Sequence, residues 1–206
     1  PHPNWFSLGP NLRFFHQQGV KGMFAQGAYQ SFGAEMAELR AWVLAQLLWN
    51  PDQDDRALID EFLRGYYGEA AGPIIRQYLN LLHEAASGIF VGCYTAPDSP
   101  YLRFEVLGAA EQLWQQALEA VADDPDRRWR VRQGHLPVRY TFLANWDALR
   151  EQCRHSGQAW PLPESCQAVA DDWLAAVTEP GPSGWALMTH INEGGVTPQA
   201  FVAALK

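Results

Sequence analysis

Arg127, Arg128, Arg130, Arg132 and Arg139, joined by His135, occupy a stretch that contains no acidic side chain. At helical spacing Arg128 and Arg132 share one face, and Arg132, His135 and Arg139 continue it. A guanidinium grips a carboxylate through two parallel hydrogen bonds. One reading therefore makes Arg128, Arg132, His135 and Arg139 an anion-binding set, with the carboxylate of a sugar acid as one class of ligand. The other is a solvated or ion-paired helix face that answers Asp123 to Asp126.

Other chemistry is sparse. Paired carboxylates suit glycosidic work, where one protonates the leaving oxygen and the other attacks or activates water. The candidates are Glu35 with Glu38, Asp54 with Asp55, and Asp123 with Asp124 and Asp126. All fall at helix starts or in linkers, where capping and solvation account for them. His190 and Glu193 make one pair where a metal site needs three or four converging ligands, so no metal is expected. Cys93, Cys153 and Cys166 are too widely spaced for a thiolate site and read as free thiols, which leaves cytosolic and exported settings both open. Gly181-Pro182-Ser183-Gly184 lacks the spacing of a serine nucleophile elbow. With no phosphate-cradling glycine loop either, the sequence calls for no cofactor.

Composition narrows the partners. The 206 residues carry a net charge of −8, and Lys21 and Lys206 are the only lysines, which argues against nucleic acid. The longest apolar stretch, Ala41 to Trp49, is interrupted by Gln46 and falls short of the roughly 18 residues of a membrane span. The chain begins with Pro1 and no charged-then-apolar leader follows, the pattern of a processed or excised piece.

The elements that must position these residues are helical. Met36, Leu39, Val43 and Leu47 draw one apolar stripe over residues 34–50. Asp54 or Asp55 caps a second helix with Leu58, Ile59 and Leu63 inward and Gly68 as its stop. Residues 72–87 carry Ile75, Tyr78, Leu79 and Leu82 at core spacing. Val106 to Val121 is amphipathic throughout, Pro125 to Arg154 continues helical with a kink at Pro137, and Pro163 opens the next helix. Thr197 and Pro198 cap a short last one. Before residue 33 the order is Asn11 to Gln18 helix, Gly19 stop, Val20 to Ala25 strand, and a second strand is expected near 185–191. The expected fold is mainly α: a multi-helix bundle with one or two short strands. Of nine tryptophans, Trp42, Trp49, Trp114, Trp129, Trp146 and Trp173 fall on or beside apolar stripes. Trp5, Trp160 and Trp185 lie in Pro/Gly-rich segments open to a sugar or another chain.

The runs Gly19-Val20-Lys21-Gly22-Met23-Phe24-Ala25-Gln26-Gly27, Glu38-Leu39-Arg40-Ala41-Trp42, Leu47-Leu48-Trp49-Asn50-Pro51 and Glu61-Phe62-Leu63-Arg64-Gly65-Tyr66-Tyr67-Gly68 resemble the family catalogued as domain of unknown function 4838. Its members look like (β/α)8 glycoside hydrolases related to alpha-glucuronidases and beta-hexosaminidases. The resemblance is specific over about residues 10 to 85. It implies that residues 1–33 are the remnant of a barrel repeat and 34–206 a helical domain. It places Gln26 at the sugar-facing end of a barrel strand, with Tyr29 nearby, as substrate-binding residues. The partners it implies are the rest of a parent barrel and carbohydrate; exposed aromatic surface adds a second copy of the chain. Neither catalytic carboxylate of such an enzyme maps onto a position here. The functional expectation is a C-terminal helical portion that supports a carbohydrate-processing barrel and is not catalytic alone. The alternative is a free-standing helical binding or dimerisation module that uses the arginine face.

Overall fold

The computed structural model describes residues 1–28, 32–92, 94–180 and 188–205. Among them are nine α-helices and no strand. A 3-10 turn, Trp5–Ser7, leads into α1, Leu8–Gln17. Next come α2, Ala37–Trp49, α3, Asp55–Tyr67, and α4, Gly72–Ala85. After the loop at 88–99 and a second 3-10 turn stand α5, Phe104–Ala120, and α6, Pro125–Ala144. The chain ends with α7, Trp146–Ser156, α8, Cys166–Thr178, and α9, Pro198–Ala204. None is long and apolar enough to cross a membrane.

Local chemistry sets these boundaries. The Asp54 carboxylate accepts from the backbone N–H groups of Arg56 and Ala57, so it starts α3, and Asp124 does the same for α6 through Arg127. Ser165 caps α8 and Thr197 caps α9. Gly19 and Gly68 end their helices at φ values of 80° and 93°, which only glycine adopts without strain. Met36 is the exception: it precedes α2 at φ 49°, left-handed although it carries a buried side chain.

Consecutive helices are spatial neighbours from α1 through α6; α8 then lies on α6, and α7 folds back against α5. The apolar stripes meet in one core. Leu39, Val43 and Leu47 of α2, Ile59 and Leu63 of α3, and Ile75, Leu79 and Leu82 of α4 are all buried, as the spacing requires. Trp5 and Phe6 enter the same core, Trp5 against Tyr78 with ring centroids 6.4 Å apart.

Four expectations are corrected. The strand at Val20 to Ala25 does not form: among the described residues there is no strand to pair with it, and between Lys21 and Ala28 no backbone hydrogen bond joins it to another described residue. Of the strand near 185–191, residues 185–187 and Trp185 lie outside the described residues. Residues 188–191 are irregular because the Ile191 N–H closes a turn onto the Val196 carbonyl at 2.7 Å. Residues 125–154 split into α6 and α7 at Asn145, whose side-chain amide donates to the Pro97 and Thr141 carbonyls. Pro163 lies outside α8, which begins at Cys166 behind its Ser165 cap. Pro137 is carried within α6, where the Thr141 hydroxyl returns to its carbonyl at 2.8 Å.

The approach of α6 to α5 is close at Gly134. A Cβ added to Gly134 would stand 2.5 Å from Trp114 Cη2 and 3.0 Å from the Tyr67 hydroxyl. Gly134→Ala is therefore expected to destabilise the fold by about 1–3 kcal/mol through overpacking, outweighing a helix-propensity gain of about 1 kcal/mol. Urea unfolding with the midpoint as readout decides the sign; a stabilised variant would disprove the close approach.

Candidate functional site

The residues singled out on α6 do converge. Arg128, Arg132, His135 and Arg139 all line one cavity of about 580 Å³ between α5, α6 and α8, with Glu119, Asp172 and Trp173 in the opposing walls. The α6 face supplies the cations at the spacing expected of them, and α8 supplies carboxylates from some 40 residues away.

What holds His135 and Arg139 is a side chain that the residue spacing did not single out. Glu111 of α5 is fully buried, 0% exposed. One carboxylate oxygen lies 2.6 Å from His135 Nε2, and Arg139 meets the carboxylate through Nε at 2.9 Å and Nη2 at 2.7 Å. Burial alone would raise its pKa. The His135 ring and the Arg139 guanidinium outweigh the burial and bring the carboxyl down to about 2. Trp114, one turn along α5, stacks its indole on the His135 ring at 5.8 Å and 14°. A signal for Glu111 was present: it falls between Leu107 and Trp114 on the inner stripe of an otherwise apolar helix face. A charge at such a position requires a buried partner.

The cations differ in how far they are committed. Arg132 donates to Glu179 at 2.6 Å and to Asp172 at 3.1 Å. Arg139 adds Asp172 at 3.8 Å to its Glu111 pair. Arg128 is exposed and makes no ion pair among the described residues. The ion-paired reading thus holds for most of the face, with partners on α5 and α8. Only Arg127 turns to the acidic segment before the helix, pairing with Asp124 at 2.9 Å, while Arg130 donates to the Tyr66 carbonyl.

The second predicted place is less assembled. Gln26 is exposed in the irregular segment after α1, and Tyr29 lies outside the described residues. Ala28, close to both in sequence, lines a cavity of about 290 Å³ together with Glu35, Tyr140, Trp173 and Asn192. Glu35 is buried rather than a solvated cap. Its carboxylate accepts from the Tyr78 hydroxyl and the His2 backbone N–H, and its carbonyl accepts from Arg40. Asp54 and Asp124 are the caps they were expected to be, whereas Asp55 is buried and pairs with Arg13 at 2.7 Å. Cys153 and Cys166 are free thiols, and Cys93 lies outside the described residues, as do residues 181–184. No group of three potential metal ligands forms among the described residues.

Because the folded Glu111 carboxyl sits at about 2 against an ordinary 4.5, the unfolded chain takes up its proton first as pH falls. Its stabilisation is complete above about pH 4.5 and lost towards pH 2. Glu111→Gln should remove that acid-sensitive step and cost about 3 kcal/mol at neutral pH, since it strands Arg139 in a partly buried site. Denaturant unfolding of both proteins across this pH range is the measurement; identical profiles would contradict the assignment.

No curated protein and no solved structure matches this chain. Residues 1–80, which hold α1 to α3 and the first part of α4, match the model of the family described as Domain of unknown function (DUF4838).

Proposed function

We propose that this chain is the C-terminal helical portion of a glycoside-hydrolase-like protein, packing on a carbohydrate-processing barrel and supporting it without catalysing alone. One observation carries the reading: an apolar surface where α1, the following segment and the end of α2 meet. Phe14, Phe24, Leu48 and Trp49 are 56%, 87%, 51% and 90% exposed. Phe15, Val20, Met23, Leu47, Leu48 and Trp49 line a groove of about 250 Å³ there. Scattered exposed apolar residues are ordinary, but a contiguous patch marks a surface that something covers. Between Lys21 and Ala28 no backbone hydrogen bond is made to another described residue, which suits this segment to pairing with a sheet edge. The family match spans this same region. In this reading Gln26 and Tyr29 stand beside the sugar at the rim of the barrel.

The arginine face favours a second reading, a helical binding module in its own right, because four residues chosen from sequence share one cavity.

The double variant Phe24→Ser, Trp49→Ser should leave the chain's own stability within about 1 kcal/mol, both side chains being exposed, and abolish capture of the barrel portion supplied as a separate polypeptide. The isolated chain should hydrolyse neither aryl-glycosides nor aryl-glucuronides, while the full parent protein turns one of them over. Turnover by the isolated chain, or capture unaffected by the double variant, would overturn the proposal.

A further inference from the structure

The cavity between α5, α6 and α8, about 580 Å³, is of a size that takes small organic ligands. Most of the charges around it are settled among themselves. Arg132 is held by Asp172 and Glu179, and Arg139 and His135 by the buried Glu111. Counted together, the three guanidiniums of Arg128, Arg132 and Arg139 answer four carboxylates, Glu111, Glu119, Asp172 and Glu179. No surplus of positive charge remains to draw in an anion by itself. Two lining groups of opposite sign stand outside these pairs. Glu119, in the last turn of α5, and Arg128, in the first turn of α6, are both exposed, and neither side chain makes an ion pair or hydrogen bond among the described residues. They share one cavity but lie too far apart to pair with each other. Leu118, Leu136 and Ala176 give the same lining an apolar part.

We propose that this cavity binds a small zwitterion, a free amino acid with an aliphatic body. Its carboxylate pairs with Arg128, its ammonium pairs with Glu119, and its carbon chain lies against Leu118, Leu136 and Ala176. Because such a ligand carries no net charge, binding leaves the balance of the surrounding pairs as it was. A carboxylate alone satisfies Arg128 and sets a second negative charge before Glu119, and an amine alone does the reverse before Arg128. A neutral amide forgoes both charge-assisted contacts. His135 and Arg139 are wall residues here, tied to Glu111. The proposal rests on the binding-module reading, for which it names the ligand class, and is independent of barrel docking.

The test is an NMR titration of the full chain in low salt at neutral pH with glycine, valine, γ-aminobutyrate and ε-aminohexanoate, which space the two charges differently. Butyrate, butylamine and butyramide serve as the carboxylate-only, amine-only and neutral controls. At least one zwitterion should give saturable shifts of cavity residues at about millimolar concentration, more tightly than any control and more weakly as salt is added. Arg128→Gln and Glu119→Gln should each weaken it about tenfold. In Glu119→Gln butyrate should then bind as well as the zwitterion, and in Arg128→Gln butylamine should, a pattern that a loosened fold would not produce. Both side chains are exposed, so thermal midpoints should stay unchanged. Wild-type affinity in either variant would overturn the proposal. A lone carboxylate or amine binding as tightly as the zwitterions would overturn this ligand class and leave the binding-module reading standing, whereas saturation by none of the compounds would overturn both. Barrel capture is read separately and bears on neither.

Discussion

A carboxylate cannot be taken out of water at the centre of a helical core unless other charges come with it, and Glu111 has been taken out completely. That constraint organises α5, α6 and α8. His135 and Arg139 must lie on the α6 face that meets α5, one turn apart, so the register of the two helices is fixed. Arg139 then reaches Asp172, which Arg132 also holds, and α8 is drawn against α6 by the same chain of charges. The Trp114 ring closes the arrangement by stacking on His135, and Gly134 leaves it room.

The aromatic core continues from that point without interruption. Trp114 meets Tyr78 at 5.1 Å, Tyr78 meets Trp5 at 6.4 Å, and the Tyr78 hydroxyl ends on Glu35. Two buried carboxylates therefore stand at opposite ends of one run of rings. The apolar interior does not simply exclude polar groups. It holds two of them in fixed orientation, Glu35 in the wall of the smaller cavity and Glu111 fully buried on α5.

How much of this was legible in the sequence depended on whether the deciding interaction was local. Stripes such as Leu39–Val43–Leu47 and caps such as Asp54 and Thr197 were readable because a helix satisfies its own backbone. The strand at Val20 to Ala25 was misread because its composition is strand-like while its partners are not local, and the sequence cannot say whether a partner exists. Trp5 and Trp49 exchanged roles for a similar reason. Trp5 lies in a Pro-containing segment yet is fully buried under α4, and Trp49 sits beside a core stripe yet points out at the last residue of α2. The α6 cations were found by spacing. Their partners Glu111, Asp172 and Glu179 were not, because pairing across 24 to 47 residues leaves no periodic trace.

Met36 shows what such a fold leaves behind for selection. Its left-handed backbone favours glycine or asparagine, whereas its side chain is 2% exposed and receives the Tyr67 hydroxyl on its sulfur. A residue that relaxed the backbone would empty the space beneath α2, and a β-branched residue that filled it would aggravate the strain. No single substitution improves both terms. The position is a compromise from which point mutation offers no exit, so the chain would reach a better solution there only by changing Met36 and its neighbours together.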